Sequence, residues 1–295
     1  MNFTNGNIGM MLIADSGSTK TDWMLLDHEQ DIVKTFSTKG LNPNILSDKQ
    51  IAAELISEIQ FDDVRDENVN IYFYGAGCSG RINTDRIKGI LQSQFSKSVI
   101  NVHSDIEAAV FATCNNKPAI VAILGTGSNS CFFSEDEISG LEYSLGYILG
   151  DEGSGSYFGK KLLRDHFYGK LPVELQEKFN ANFELSRDEV IERIYRQTFP
   201  NEFIASFLPF YQENINHPWC KKIIDDGLEE FLRIYIQRFN NFEKVPVHFI
   251  GSVAYFFEDQ LKEQCGKLQI NPGKIIRSPI PGLAEYHIQM NNTKL

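Results

Sequence analysis

Two short polar turns place the strongest limits on how this chain can fold. One lies in LIADSGSTKTDWML, residues 12–25, and the other in PAIVAILGTGSNSCFF, residues 118–133. Each turn lies between two apolar runs, a pattern that predicts a strand, a tight turn and a second strand. Aligning Gly17 with Gly127, an offset of 110 residues, matches Ser-Gly-Ser with Thr-Gly-Ser. We therefore expect two related α/β halves.

The elements around the turns support two domains. The first half alternates strands and helices, with capping boxes at Ser47 to Gln50 and at Ser104 to Glu107. The second half repeats the strand, turn and strand, continues with helices between about 160 and 245, and reaches a last strand, VHFIGS, followed by one helix. We expect an N-terminal domain over 1–108 and a C-terminal domain over 109–295, with the helices as an insertion and the last helix packing back on the first domain.

Composition excludes several classes of protein. A chain of 295 residues with a net charge of -11 lacks the basic surface that a nucleic-acid partner requires. The five cysteines are scattered singly, which is typical of buried thiols in the cytosol. The first residues lack the pattern of a signal peptide, and no apolar run is long enough to span a bilayer. We expect a soluble, cytoplasmic protein with no membrane partner.

The first turn has the composition of a phosphate-binding loop. Successive backbone N–H groups of a turn rich in Gly, Ser and Thr form a concave site for phosphate oxygens. Asp15, at the end of the preceding strand, could hold Mg²⁺ directly or through water, and Lys20 could add a positive charge. An ordinary polar hairpin has the same composition. The second turn, at GTGSNS, favours the phosphate site.

A rival motif is GAGCSG, residues 75–80, which fits the dinucleotide-binding pattern G-x-G-x-x-G after the strand NIYFY. Two details count against it. The next helix is predicted to begin only at Asn83 or Thr84, and a meander and a helix precede the motif where a dinucleotide-binding unit normally begins. The Walker A pattern is absent from the sequence.

Two further acidic positions are candidates for chemistry. Asp105 opens a helix directly after a strand, where a carboxylate can either stabilise the helix N-terminus or accept a proton from a substrate hydroxyl. Asp151 and Glu152, in GDEGSGS, can likewise begin a helix or bind the hydroxyl groups of a polyol. The sequence pattern leaves both alternatives open.

Together these stretches resemble the family of N-acetylglucosamine kinases and BadF/BadG/BcrA/BcrD-type ATPases, within the actin, sugar kinase and Hsp70 superfamily. The resemblance rests on DSGSTKTDWMLLD, ILGTGSNS, LGDEGSG and HFIGSVA and covers nearly the whole chain. It implies an α/β fold of two RNase H-like domains with an interdomain cleft, a small sugar substrate, ATP and Mg²⁺ as cofactors, and a homodimer.

The resemblance also assigns roles to individual residues. It implies that Asp105 is the catalytic base, that Asp15 lies near Mg²⁺, and that two further sets of residues bind the substrates. The ATP set is Asp15, Gly17, Ser18, Thr19, Lys20, Gly125, Thr126, Gly127, Gly251 and Ser252, and the sugar set is Asn42, Asp105, Ser128, Asn129, Leu145, Gly146 and Asp151.

One departure from the family concerns the sugar. Members carry Gly-Trp-Gly before the LGDEGSG segment, where this chain has Ser144-Leu145-Gly146. Loss of a tryptophan removes a flat contact for a sugar face. The resemblance implies phosphorylation of the 6-hydroxyl of N-acetylglucosamine, and because of this departure glucosamine and N-acetylmuramic acid are alternative substrates. A regulatory ATPase without a sugar substrate is a second alternative, although no cysteine pair is placed for the iron-sulfur cluster of that branch.

Overall fold

The computed structural model describes residues 9–135, 137–141 and 144–293 and divides the chain into two units. Unit 1 consists of Met1–Asn115 with Ser278–Leu295, and unit 2 consists of Asn116–Arg277. The boundary expected after residue 108 falls inside a helix, whereas the structural boundary follows it. The start of the chain, on which the expectation about a signal peptide depends, lies at residues 1–8, outside the described part.

Unit 1 is a five-stranded mixed sheet with helices. Its strands are β1 Met10–Ser16, β2 Lys20–Leu26, β3 Ile32–Lys39, β4 Val69–Gly75 and β5 Val99–Ser104, and its helices are α1 Asp48–Ser57, a 3₁₀ turn Ile59–Phe61, α2 Arg81–Gln94 and α3 Asp105–Thr113. The strand order is β3-β2-β1-β4-β5. β1, β2 and β3 form an antiparallel meander, while β4 and β5 run parallel to β1. The carboxyl ends of β1, β4 and β5 therefore share one sheet edge.

The apolar pattern explains why β1 is the central strand. Its segment from Met11 to Ala14 is fully buried, as expected for a strand that is covered on both faces. A C-terminal helix, which follows the whole of unit 2 in the chain, completes unit 1 and packs on α3, β1 and β2. Its close approach needs Gly282, because an added Cβ would lie 2.6 Å from the carbonyl oxygen of Ala112.

Unit 2 repeats the same topology with a long helical segment inside it. Its strands are β6 Ala119–Leu124, β7 Ser128–Ser134, β8 Glu137–Ser139, β9 Val247–Ile250 and β10 Pro272–Ile276. Its helices are α4 Gly146–Leu149, α5 Gly155–Phe167, α6 Val173–Asn182, α7 Arg187–Tyr195, α8 Pro200–Ala205, α9 Leu208–Glu213, α10 Pro218–Phe231, a π-helix Leu232–Ile236, α11 Ser252–Phe256 and α12 Glu258–Lys267; the C-terminal helix of unit 1 is α13 Ile280–Thr293.

The sheet order of unit 2 is β8-β7-β6-β9-β10. β6, β7 and β8 form an antiparallel meander, while β9 and β10 run parallel to the central strand β6. This is the order of unit 1, element for element. The expectation of two related α/β halves with the RNase H-like topology is therefore confirmed.

Three expectations about single elements were wrong. The strand VHFIGS is not the last, because β10 follows and pairs with β9. The helix expected through AYFFEDQLKEQ is two helices, α11 and α12, separated at Phe257, whose ring is buried. The helix after GAGCSG begins at Arg81, directly after Gly80. Among the described helices, none is long and apolar enough to cross a membrane, and all five cysteines are buried, as expected.

Candidate functional site

The turn between β1 and β2 is a compact loop with unbonded amides at its tip. Its first amide, of Gly17, donates to the carbonyl oxygen of Lys20 over 2.9 Å and closes the loop. Among the described residues, the amides of Ser18 and Thr19 have no acceptor, and Thr19 is exposed. Two neighbouring free N–H groups are what a phosphate oxygen requires.

This first loop rests on residues that follow β3. An added Cβ on Gly40 would lie 2.2 Å from the carbonyl oxygen of Ser18, so only glycine fits there. The side-chain amide of Asn42 donates to the hydroxyl of Ser18 over 2.9 Å, and its oxygen accepts from the backbone of Asn44. The buried hydroxyl of Ser16 accepts from the backbone of Leu41. Asn42, expected to contact sugar, is thus also a support of the loop.

Asp15 is a half-buried carboxylate among other acids. Its side chain has no hydrogen-bond partner among the described residues. Burial, together with the negative charges of Asp105 and Asp22, raises its pKa to about 7, and Lys20 opposes the shift. Lys20 is also paired with Asp22 over 2.9 Å. An electron-rich position of this kind favours a cation.

Asp105 begins α3 at the carboxyl end of β5. The helix start is fixed by a capping box in which Glu107 accepts from the backbone and hydroxyl of Ser104, at 2.8 and 2.7 Å. One carboxylate oxygen of Asp105 accepts from the amide of Ile106 over 2.9 Å, and the other has no partner in the described part of the chain. Burial raises the pKa of Asp105. The free oxygen is therefore well suited to accept a proton.

The register of the sheet relates the two acids. Ser16 pairs with Gly75, and Gly75 pairs with Ser104, so the ends of β1, β4 and β5 lie side by side. Asp15 lies one residue before this row in β1, Asp105 follows it as the first residue of α3, and their charges interact. With strands about 4.8 Å apart, the row spans roughly 10 Å. Unit 1 thus gathers both acids at one sheet edge.

The loop GAGCSG lies at the same edge but is filled by its own neighbours. An added Cβ on Gly77 would lie 2.5 Å from the side-chain oxygen of Asn42, and one on Gly75 would lie 2.9 Å from the sulfur of Cys78. The antiparallel meander before β4 also differs from a dinucleotide-binding unit. Gly75 and Gly77 serve close packing, whereas Gly80 has open space around it and caps α2.

The turn between β6 and β7 has the same free amides as the first. The amide of Gly125 donates to the carbonyl oxygen of Gly127 over 3.0 Å, whereas those of Thr126 and Gly127 have no acceptor among the described residues. The second loop is one residue shorter than the first: three residues lie between the paired positions Leu124 and Ser128, and four lie between Ser16 and Thr21. Counted along the incoming strands, Gly17 therefore corresponds to Gly125, and the alignment with Gly127 was wrong by two positions.

The support of the second loop differs from that of the first. Asp151, which is buried and in the left-handed backbone region with φ 60°, accepts from the amide of Ser128 over 3.2 Å. The hydroxyl of Ser128 donates to the carbonyl oxygen of Glu152. The carbonyl oxygens of Gly125 and Thr126 accept from amides at the start of α5. Burial raises the pKa of Asp151.

Three other expected site residues of unit 2 occupy distinct positions. Gly251, with φ 126°, caps α11 and leaves no room for a Cβ, which would lie 2.4 Å from the carbonyl oxygen of Leu124. Ser252 begins that helix. The side-chain oxygen of Asn129 accepts from the amide of the next residue, Ser130. The structure thus places Gly251 directly beside the start of the second loop.

Sequence reasoning missed two residues that hold these segments. The hydroxyl of Tyr235 accepts from the amide of Asp151 over 3.3 Å and donates to Glu152 over 3.2 Å. Its position in an amphipathic helical stretch offered no signal of this role. Gly40 was the other, and its place before Asn42 in KGLNPN was the only sequence hint.

The acids of unit 1 fit a magnesium ion that is held largely by other ligands. Among the described residues, no group of three or more His, Cys, Asp or Glu side chains is arranged to hold a metal. Magnesium often binds through one or two carboxylates, with waters and substrate phosphates completing its shell. Asp15, which has no hydrogen-bond partner in the described chain and lies near the negative charges of Asp105 and Asp22, matches that requirement.

Comparison with known proteins identifies the family. No protein-family model matches the chain. An N-acetyl-D-glucosamine kinase of Dictyostelium discoideum is 24% identical over 164 residues, which is 51% of this chain and 51% of that protein. The crystal structure of a candidate N-acetylglucosamine kinase of Porphyromonas gingivalis is 35% identical, with a TM-score of 0.85, over 94% of this chain and 98% of that one. The chain belongs to the N-acetylglucosamine kinase family.

A more distant structure supports the fold alone. A ROK family glucokinase of Streptomyces griseus, crystallised with glucose and AMPPNP, has 16% identity and a TM-score of 0.55 over 94% of this chain and 98% of that chain. The match to the Dictyostelium kinase, by contrast, spans about half of that protein's length.

Within the N-acetylglucosamine kinase family, Leu145 and Gly146 mark the departure of this chain. Leu145 stands where the family's tryptophan is expected, and its side chain is 61% exposed just before α4. Gly146 has a positive φ of 71° and no neighbouring atom within 4 Å of an added Cβ. At this position the segment therefore presents an exposed leucine in place of an aromatic side chain.

Proposed function

We propose that this chain is an ATP-dependent sugar kinase that phosphorylates the 6-hydroxyl of N-acetylglucosamine. The observation that carries the proposal is the pair of acids in unit 1: Asp15 and Asp105 share one sheet edge, and each keeps a carboxylate oxygen without a partner among the described residues. The membership of the family supports the same activity.

The chain's own residues would perform three tasks. The free amides of the two loops would bind phosphate oxygens of ATP, with Lys20 adding charge near the first loop. Asp15 would hold Mg²⁺, which when bound neutralises charge on the transferred phosphoryl group. Asp105 would accept the proton of the sugar hydroxyl at its free oxygen while that hydroxyl oxygen bonds to the γ-phosphorus and ADP departs.

The raised pKa of Asp105 is consistent with this role. Burial makes its carboxylate a better proton acceptor than an exposed aspartate, because the charged form is less well solvated. The capping box of Ser104 and Glu107 holds the backbone of the first turn of α3, so the carboxylate does not depend on a flexible loop for its position. For the sugar, Asn129 and Asp151 are the proposed polar contacts.

The test of the base is Asp105→Asn. We expect kcat to fall by about 100-fold or more, the usual contribution of a positioned base, with ATP affinity unchanged. Asp85→Asn is the matched control, since it removes the same charge from an exposed face of α2, where Asp85 pairs with Arg81. Calorimetry with ATP and a coupled ADP assay provide the two readouts. Near-normal turnover in Asp105→Asn would exclude this residue as the base.

The substrate is tested with a panel of sugars and Mg-ATP. N-acetylglucosamine, glucosamine, glucose and N-acetylmuramic acid are each scored for sugar-dependent release of ADP. We expect the highest kcat/KM with N-acetylglucosamine and no product with its 6-deoxy analogue. A higher kcat/KM with another amino sugar would make that sugar the substrate, and Leu145 would then be expected to contact it. ATP hydrolysis that no sugar stimulates would favour the regulatory ATPase.

A further inference from the structure

Unit 2 contains an apolar groove between α5, α7 and α8 that the proposed chemistry does not use. Its cavity is about 500 Å³, within the range of small-molecule sites. The floor consists of three buried side chains, Leu163, Val190 and Ile204. Phe167 and Ile191 line the walls and remain 36% and 39% exposed. A groove with this lining would be more stable with an apolar ligand in it.

The polar side chains of the groove are all cationic or neutral. Lys160, Arg164 and Arg187 line it, and none of its described lining residues is acidic. Arg164 and Arg187 have acidic neighbours in sequence. Asp165, at 3.7 Å from Arg164, is buried and is shared with Lys161 at 3.1 Å. The pair of Arg187 with Asp188, at 3.2 Å, is exposed and contributes little. In a chain with a net charge of -11, three cations around one apolar groove indicate an anionic ligand.

We propose that this groove binds an amphipathic organic anion, with an apolar chain on the floor and a carboxylate or phosphate group near Arg164 and Arg187. The size of the cavity suits a small molecule. Arginine is the side chain best suited to the anionic end, because its planar group donates two parallel hydrogen bonds to a carboxylate or phosphate.

Lys160 connects the groove to the proposed sugar segment, and this step rests on the proposed function. Its ammonium donates to the carbonyl oxygen of Tyr147 in α4, next to Gly146. Burial lowers its pKa, while Asp151 and Glu152 favour its charged form. An anion in the groove would attract this ammonium away from α4. We therefore expect a bound ligand to weaken sugar binding.

Calorimetry of the full chain with three probes tests the binding site. Decanoate should bind with a Kd of about 10 to 100 μM, decanol at least tenfold more weakly, and inorganic phosphate not measurably. The double variant Arg164→Glu with Arg187→Glu should weaken decanoate binding at least tenfold. Arg196→Glu with Arg233→Glu is the matched control, since both side chains are exposed, pair with Glu and do not line the groove.

Equal binding of decanol and decanoate would overturn the anionic site, as would unchanged binding of decanoate by the groove variant. The regulatory step has its own readout: decanoate should raise the KM for the sugar in the native chain and not in the groove variant. An unchanged KM would overturn that step. If the chain phosphorylates no sugar, the binding measurements still decide whether the groove is a site.

Discussion

The two loops, between β1 and β2 and between β6 and β7, share a backbone hydrogen-bonding pattern and differ in their acidic residues. In each, the first glycine closes the turn with its amide and the next two amides remain without an acceptor in the described chain. On the incoming strand, however, Asp15 of the first hairpin corresponds to Ile123 of the second. Only the first hairpin therefore carries an acid of its own.

The supports of the two loops differ in the same way. The first is held from behind by neutral groups, the backbone at Gly40 and the amide of Asn42. The second is held by the carboxylate of Asp151, which accepts from the amide of Ser128. The two hairpins thus share the hydrogen bonding of their backbones but differ in their charged side chains. We therefore expect a metal role for the first hairpin and a substrate-binding role for the second.

The largest expected effect separates Asp15 from Asp151. Asp15→Asn should lower kcat by about 100- to 1,000-fold, because a metal that stabilises transferred charge contributes several kcal/mol. Asp151→Asn keeps an oxygen for the amide of Ser128, so we expect kcat within a few-fold of the native value and a KM for the sugar about tenfold higher. Steady-state kinetics over a range of Mg²⁺ and sugar concentrations measures both.

The contrast between these two variants would fail in either of two ways. If Asp15→Asn retained normal kcat and normal dependence on Mg²⁺, the first hairpin would have no metal role. If Asp151→Asn lowered kcat as much as Asp15→Asn with no change in KM, the division between the hairpins would be wrong. Circular dichroism of both variants checks that the fold persists.

The second-largest expected effect concerns how closely neighbouring atoms pack against each loop. Gly40→Ala should reduce the free energy of unfolding by about 2 to 3 kcal/mol, because the new methyl would meet the backbone of Ser18. Gly125→Ala should change it by less than about 1 kcal/mol, since an added Cβ there meets no atom within 4 Å. Urea unfolding measures the pair. Equal losses in both variants would show that the two loops are equally confined.

Much of this comparison could be predicted from the sequence, because it depends on local patterns. Strand runs on both sides of each turn predicted the hairpins, and the capping boxes at Ser47 and Ser104 predicted where α1 and α3 begin. The duplication was likewise visible. Local pattern could not fix the alignment of the two loops, since small residues match in several registers and only strand pairing selects one.

The supports of the loops could not be predicted, for a physical reason. Gly40 and Tyr235 act on segments that lie far from them in sequence, and such contacts leave no periodic signal. Placing the catalytic candidates was easier, because Asp15 and Asp105 lie at the carboxyl ends of β1 and β5, which meet at one edge of the sheet. The role of each acid remains a prediction that the kinetics above decide.

The smallest expected effect concerns pH, since each unit buries one neutral histidine. In unit 2, burial and then Lys274 lower the pKa of His248 to about 4, and its Nδ1 accepts from the amide of Lys274 over 2.8 Å. In unit 1, burial and then His103 lower the pKa of His287 to about 4, and its Nε2 lies 2.9 Å from the hydroxyl of Tyr74.

Because the unfolded chain binds these protons near pH 6.5 and the folded chain only near pH 4, stability from each histidine is complete above pH 6.5 and is lost as the pH falls toward 4. His248→Gln and His287→Gln should each remove about 1 to 2 kcal/mol of this pH dependence. Urea unfolding at pH 7.5 and 4.5, compared with the native chain so that carboxylate titration cancels, measures the difference. A variant that keeps the full pH dependence would show that its histidine is protonated in the folded unit, and would break the parallel between unit 1 and unit 2.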